Sequence, residues 1–239
     1  MRIDPRLIKK EHKNENKIEY QENISWVFYV EYFQNLNYSN LSSKDNEKLV
    51  KNITNKLKNK KIKRDIALIG DNFTLKVDGM GLIAGSGYPH NIAKIKESLQ
   101  LGLSFDYTTG YPIIPASSIK GVISHILNDK NKKDYKDYIL KELKIDENRL
   151  KEDFKNTIFL DAEIIVGGFD DEFITPHSKI TKNPVPIKFL KIKKGSKFLF
   201  QFIFKTNFID KNKKLNLFQT LIKDFGIGAK TNTGYGYFS

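Results

Sequence analysis

The sequence contains no cysteine among its 239 residues, which excludes disulfides, thiolate metal sites and cysteine nucleophiles. Only four histidines are present, so a zinc enzyme has little support. No apolar run approaches the roughly 18 residues of a membrane-spanning helix, and the first residues lack the apolar stretch of a secretory signal. These absences predict a cytoplasmic protein with no membrane partner, no metal and no cofactor.

The chain is strongly basic. It has 41 Lys and Arg against 28 Asp and Glu, a formal charge of +13 and a pI of about 9.5. Such an excess favours a polyanionic partner, because lysines that meet phosphates release condensed counterions. A second explanation stays open, because AT-rich genomes encode Lys, Ile and Asn frequently. Of the basic residues 37 are Lys, and Ile and Asn are also abundant.

The first part of the chain, residues 1–71, is expected to be an N-terminal extension that is partly helical. Residues 1–22 are polar and mixed in charge, as in a loose tail. Residues 24–38 are dense in aromatic and β-branched side chains, and periodicity does not separate a strand from a buried helix there. Residues 43–64 predict a helix with Ser43 as its N-cap.

The main domain is expected over residues 72–239, with charged surface helices inserted near 128–156. The remaining segments alternate strands and helices, which indicates an α+β fold with a ferredoxin-like (RRM-like) core. Residues 197–206 are almost continuously apolar and predict a central strand. Residues 171–180 predict a loop, and Gly226 is placed as the C-cap of the last helix.

The C-terminal sequence GIGAKTNTGYGYF is the first candidate site. Four glycines bracket a short polar segment; these residues are Gly226, Gly228, Gly234 and Gly236 around Lys230, Thr231, Asn232 and Thr233. Glycines permit close approach of backbone to a ligand, and exposed N–H groups with one Lys suit a phosphodiester. The loop is not a Walker A motif, because a helix precedes it. A tight turn before a final strand is the alternative.

A second candidate is the segment PASSIKG, residues 115–121. Ser117 or Ser118 is predicted to cap a helix whose first turn holds Lys120, and a helix N-terminus with hydroxyls and a cation attracts anions. An ordinary helix cap is the alternative.

Two weaker motifs complete the set. Residues 79–90 crowd glycines at a strand end and include Ser86 and Tyr88, but their similarity to dinucleotide-binding loops is superficial. Residues 174–179 include His177 and Lys179. His90, His125 and His177 remain open as ligands, bases or stacking rings. No paired carboxylates, HExxH pattern or Ser-His-Asp spacing is found.

Taken together, these motifs resemble the RAMP superfamily of CRISPR-associated proteins. The C-terminal glycine-rich loop and PASSIKG carry the resemblance, with Ala116 where the family usually has Gly. The motif order GLIAGSG, GLSFDYTTGYPIIPASSIKGV, IFLDA, ITPHSK, NPVPIKFL and GIGAKTNTGYGYF is similar to the sixth-subunit family of the Cmr complex, the type III-B effector. The resemblance covers about residues 72–239.

The resemblance implies a non-catalytic subunit that contacts the guide RNA near its 3′ end, beside target RNA. It implies contacts with the backbone RAMP subunit, the small helical subunit and the capping RAMP subunit. Phosphate contacts would suit guides of many sequences, and Tyr88, Tyr107 or Tyr111 are candidates for base stacking. The RNA-binding candidates are Ser86, Tyr88, Ser117, Ser118, Lys120, His177, Lys179, Gly228, Lys230, Thr231, Asn232 and Gly234.

Two other functions stay open at this point. RAMP endoribonucleases that process CRISPR repeat RNA also carry a C-terminal glycine-rich loop and often use a histidine as acid or base. A nucleotide-binding protein is the third and weaker alternative.

Overall fold

One antiparallel sheet organises the chain. The structure is a computed structural model that describes residues 23–85, 90, 95–175 and 186–239. Within these residues the sheet has seven strands. They are β1 (Lys61–Lys63), β2 (Asp71–Lys76), β3 (Ile113–Ile114), β4 (Thr157–Phe159), β5 (Ala162–Ile174), β6 (Ile187–Ile192) and β7 (Lys197–Phe204).

The centre of the sheet has ferredoxin-like topology. β7 lies between β2 and β5 and pairs antiparallel with both. The last residues of the chain then add to the outer side of β2, where Phe238 bridges Val77 and the Ser239 N–H donates to the Lys76 carbonyl at 2.8 Å. The order across the sheet is therefore last segment, β2, β7, β5, as two interlocked βαβ units produce. The α+β prediction is confirmed.

Two helices complete those units, α4 (Ala116–Asn128) and α7 (Lys211–Phe225). β7 contributes Phe198, Phe200, Phe202 and Phe204 to the buried core and pairs on both sides, so the prediction of a central strand is confirmed. Phe202 packs against Phe218 of α7 and Phe159 of β4 at ring-centroid distances of 5.3 and 5.5 Å. Gly226 ends α7 with φ +71, as predicted for its C-cap.

The segment at residues 24–38, left open between strand and helix, is helical. It comprises α1 (Ile24–Trp26), a π-helical turn (Val27–Glu31) and α2 (Tyr32–Gln34). Its buried side chains belong to the same hydrophobic core as the sheet. Burial raises the pKa of Tyr32 to about 12, and its hydroxyl accepts from the Leu99 N–H at 2.8 Å.

The next helix, α3 (Lys44–Asn59), is capped as predicted, because Ser43 accepts from the Asn46 N–H at 3.3 Å. Its predicted end at residue 64 is wrong. Residues 61–63 leave the helix because they pair with β5 as strand β1. No helix in the described part of the chain is long and apolar enough to span a membrane.

The loop predicted at residues 171–180 begins later than expected. Residues 171–174 continue β5 and pair with β6, so the polar sequence DEFI forms strand rather than loop. The cause is nonlocal, because Asp171 pairs with Lys188 at 2.9 Å across the strands and Glu172 pairs with Lys191. Residues 176–180 lie outside the described residues.

The charged segment between α4 and β4 forms α5 (Lys133–Glu142) and α6 (Glu147–Lys155), after a 3₁₀ turn (Lys130–Lys132). A fully buried ion pair joins it to the sheet's helices: Asp153 of α6 lies 3.2 Å from the Lys214 ammonium of α7. The Asp153 carboxylate also accepts from the Thr206 hydroxyl at 2.7 Å and the Ile209 N–H at 2.8 Å. The Lys214 ammonium donates to the Thr206 carbonyl at 2.7 Å.

Burial alone would raise the pKa of Asp153, but hydrogen bonds from Thr206 and Ile209 together with Lys214 lower it below the usual range. The carboxylate is therefore the form that stabilises the fold. This contribution is present above the ordinary Asp pKa and is lost as the pH falls through the lowered value.

We expect Asp153→Ala to lower the free energy of unfolding by about 3–5 kcal/mol, because Lys214 would stay buried without a counter-charge. Urea denaturation at neutral pH measures this loss. Asp153→Ala with Lys214→Met is expected to recover part of it, and the exposed Lys155→Ala should stay within about 0.5 kcal/mol of the parent. A loss below about 1 kcal/mol in Asp153→Ala would contradict the role of the pair.

Candidate nucleic-acid interface

Three of the sequence motifs meet in one open cleft of about 480 Å³. Residues after β2, the start of α4 and the glycine-rich loop each form one side of it. The lining residues are Ala84, Gly85, Ile114, Pro115, Ser118, Gly121, Val122, Ile227, Gly228 and Ala229. Segments far apart in the sequence thus form one surface, and most of its walls are small side chains or backbone.

The start of α4 differs from the prediction in its cap. Neither Ser117 nor Ser118 is the N-cap; α4 begins at Ala116, and Pro115 precedes it without a side-chain cap. The Asp161 carboxylate, from the turn between β4 and β5, accepts from the Ala116 N–H at 2.7 Å. The helix terminus therefore already holds one anionic group, while both serines are exposed.

Lys120 lies on another face of α4 from Ser118. Its ammonium is 5.9 Å from the ring centroid of Phe154 and 6.0 Å from that of Phe159. It does not line the cleft. Among the α4 candidates, Ser118 is the one that faces the cleft directly, and Gly121 and Val122, which sequence reasoning missed, lie beside it.

The glycine-rich loop crosses the segment after β2 with no side chains between the two backbones. A Cβ on Gly228 would lie 2.5 Å from the Ile83 carbonyl oxygen. Within the loop itself, where its two arms meet, a Cβ on Gly236 would lie 2.0 Å from the Ile227 oxygen. Both glycines have positive φ, +100 and +73. The crossing is held by the Ala229 N–H, which donates to Ile83 at 2.9 Å. These glycines are required by the fold itself.

The outer part of the same loop is exposed and polar. Lys230 takes a left-handed conformation with φ +61 and ψ +35, and a 3₁₀ turn follows at Thr231–Thr233. The Lys230 carbonyl accepts from the N–H and hydroxyl of Thr233 at 3.0 and 2.9 Å. Among the described residues, none accepts from the N–H of Gly228, Lys230 or Thr231. Consecutive free N–H groups beside a lysine suit an anion.

The comparisons with known proteins decide the family. The model of the RAMP superfamily matches residues 67–239, which is most of the chain. This chain belongs to the RAMP superfamily.

Two solved structures are similar to this RAMP protein. A chain in the cryo-EM structure of the Type III-B Cmr-beta bound to cognate target RNA is 25% identical over 70% of this chain, with a TM-score of 0.49, and only 57% of that chain is covered. The crystal structure of Cmr6 from Pyrococcus furiosus is 21% identical over 70% of this chain and 96% of its own, with a TM-score of 0.44. No curated protein matches the sequence.

The glycine-rich loop of this RAMP protein is tied to the β5–β6 hairpin. The Tyr235 hydroxyl donates to the Glu172 carboxylate at 2.7 Å, and the same carboxylate pairs with Lys191. Burial and the adjacent Glu172 raise the pKa of the Tyr235 phenol, which therefore stays protonated as the donor. Sequence reasoning missed this link, since nothing local marks Tyr235 as the partner of Glu172.

Four of the predicted RNA-binding residues, Ser86, Tyr88, His177 and Lys179, lie outside the described residues. Of the two other tyrosines, Tyr107 is 94% exposed at a turn. The Arg64 guanidinium instead lies over the Tyr111 ring, 4.2 Å from the ring centroid. Tyr107 is thus the one whose ring is free for stacking.

The described histidines lie away from the cleft. His90 is 1% exposed and packs 4.0 Å from the Phe28 ring, and burial lowers its pKa. Its Nε2 lies 2.6 Å from the Phe28 carbonyl oxygen, so it joins the N-terminal helices to the core. His125 is exposed near the far end of α4, 3.6 Å from Asp129. Within the described chain, no three His, Asp or Glu side chains cluster as metal ligands do.

We expect Gly236→Ala to destabilise the fold by about 2 kcal/mol or more, because its φ is positive and the backbone oxygen of Ile227 blocks the new methyl group. The matched control is Gly121→Ala in α4, where a Cβ meets nothing within 4 Å. The control should gain about 0.5–1 kcal/mol from helix propensity. Thermal unfolding of both variants measures the contrast, and equal effects would contradict the close contact between Gly236 and Ile227.

Proposed function

We propose that this RAMP protein is a non-catalytic RNA-binding and assembly subunit of a type III-B (Cmr) CRISPR effector. It would contact the guide RNA near its 3′ end. The observation that carries the proposal is the single cleft formed by Ala84–Gly85, the start of α4 and the glycine-rich loop. These are the same motifs whose order in the sequence resembles the Cmr subunit family.

The cleft's chemistry suits a phosphodiester. Gly228 supplies a free N–H on one wall of the cleft. Lys230 and Thr231 are not lining residues, but they directly follow the lining residue Ala229 and add an ammonium and a free N–H beside it. The Ser118 hydroxyl lies on the other side. The Ala116 N–H already donates to the Asp161 carboxylate. A phosphate would therefore bind beside the serines and the loop rather than on the axis of α4. Such contacts do not read base identity, which suits guides of varied sequence.

The proposed partners follow from the same motif order. They are the guide RNA, the target RNA paired to it, the backbone RAMP subunit, the small helical subunit and the capping RAMP subunit. The exposed Tyr107 ring is a candidate for stacking on a base. No cofactor is part of the proposal, and target cleavage would belong to another subunit.

We expect Lys230→Ala to weaken binding of single-stranded guide RNA and to reduce the salt slope, d log K/d log[salt], by about 0.7, one phosphate contact on a single strand. Lys120→Ala is the matched comparison, because the Lys120 ammonium lies over Phe154 and Phe159, whereas Lys230 directly follows the lining residue Ala229. Fluorescence anisotropy across a salt series measures both. A larger effect in Lys120→Ala would place the RNA elsewhere.

We also expect no cleavage when the protein is incubated with a CRISPR repeat hairpin in a metal-free buffer. The physical reason is that His90 is buried in the core and His125 lies away from the cleft. Gel analysis of end-labelled RNA checks this. Cleavage that is lost in His125→Ala or His177→Ala would identify a repeat-processing endoribonuclease instead.

A further inference from the structure

Apart from the cleft between the motifs, the structure has a second open depression of about 410 Å³ that is lined by lysine. It lies where the end of α3, strand β1 and the turn between β6 and β7 meet β5. Its lining residues are Lys58, Asn59, Lys60, Lys61, Gly167, Gly168, Lys193, Lys194, Gly195 and Ser196. It shares no lining residue with the motif cleft.

The positive surface continues across the sheet from this depression. Lys63 on β1 faces Val166 on β5, Val166 faces Lys197 on β7, and Lys197 faces Lys76 on β2. In-register partners point to the same face, and neighbouring strands are about 4.8 Å apart. Lys63, Lys76 and Lys197 are all exposed. We call the depression together with this row the lysine surface.

Carboxylates neutralise only part of the lysine surface. Asp170 and Asp171 pair with Lys58, and Asp78 pairs with Lys194 at 2.7 Å. No carboxylate in the described part of the chain lies within salt-bridge distance of Lys61, Lys63, Lys76, Lys193 or Lys197. Lys76 and Lys197 are moreover direct cross-strand partners. Like charges in that position repel, so an external anion would stabilise them.

The floor of the depression is backbone with one unsatisfied polar group. Gly195 has φ +88, and a Cβ added there would meet nothing within 4 Å, so the turn leaves open space above it. Ser196 is 1% exposed, and its hydroxyl is buried without a hydrogen-bond partner. A buried polar group of this kind is what a bound anion or water satisfies. Glycine and serine here allow a ligand to approach the backbone closely.

We propose that the lysine surface is a second RNA-binding surface, which holds the phosphodiester backbone of a single strand without reading its bases. The proposal rests on the proposed function in one respect, that the ligand is RNA. A row of cations that continues from a depression suits a linear polyanion. The residues that line the depression include no aromatic side chain, so the bases would have no stacking platform and binding would not depend on base identity.

The test is the double variant Lys61→Ala with Lys193→Ala in the full chain. Its matched control is Lys151→Ala with Lys155→Ala on α6, which removes the same charge from lysines paired with Glu147 and Glu152. Binding of labelled oligouridylate and oligoadenylate is measured by anisotropy across a salt series. The oligonucleotides are about 20 nucleotides long, which exceeds the ~4–16 nucleotides that one such groove covers. Circular dichroism checks that each variant is folded.

We expect the Lys61/Lys193 variant to lose about tenfold in affinity at low salt and about 1.4 in salt slope, for both oligonucleotides alike, while the control changes little. Equal losses of affinity in the variant and the control would show that the effect comes from net charge alone, and would overturn the proposal. Unchanged binding would also overturn the proposal, because it is the result expected if the lysine surface binds an acidic protein instead of RNA.

The Lys230→Ala variant, measured in the same assay, distinguishes failure of this proposal from failure of the proposed function. A loss in Lys230→Ala alone supports the motif cleft and overturns the lysine surface. A loss in the Lys61/Lys193 variant alone supports the lysine surface and removes the motif cleft as the RNA site. No binding of RNA by the parent chain would overturn both.

Discussion

Direct contact between backbone segments, with no side chains between them, fixes the C-terminal part of this fold. Gly228 and Gly236 each allow a carbonyl oxygen to come closer than any Cβ would permit. The crossing places the final residues beside β2 and so completes the ferredoxin-like sheet. It also brings the loop to the start of α4, so the cleft exists because of the same contact. The inner glycines serve the fold, and the outer residues around Lys230 are left for a ligand.

Much of the architecture could be predicted because its signals are local. The N-cap at Ser43, the C-cap at Gly226 and the apolar run of β7 are each written in a few adjacent residues. The features that were missed depend on distant partners. Residues 61–63 form a strand because β5 lies beside them, and Asp161 caps α4 from the other end of the insertion.

The candidate site shows the same division. The motifs indicated candidate segments, and the structure brings three of these segments together in one cleft. They did not predict side-chain direction. Lys120 turns toward Phe154 and Phe159, whereas Gly121 and Val122, with no charge to draw attention, line the cleft. Direction on a helix depends on which face is already buried, which one sequence motif does not specify.

The buried pair of Asp153 and Lys214 bears on how such a domain can vary between relatives. An insertion on the surface would ordinarily be free to shorten or disappear, since loops tolerate length changes well. Here its removal would take away the carboxylate and leave the Lys214 ammonium in the apolar interior. Loss of the insertion and replacement of Lys214 by an apolar residue would therefore have to occur together. The two positions therefore depend on each other, and they join the charged insertion to helix α7 of the central domain.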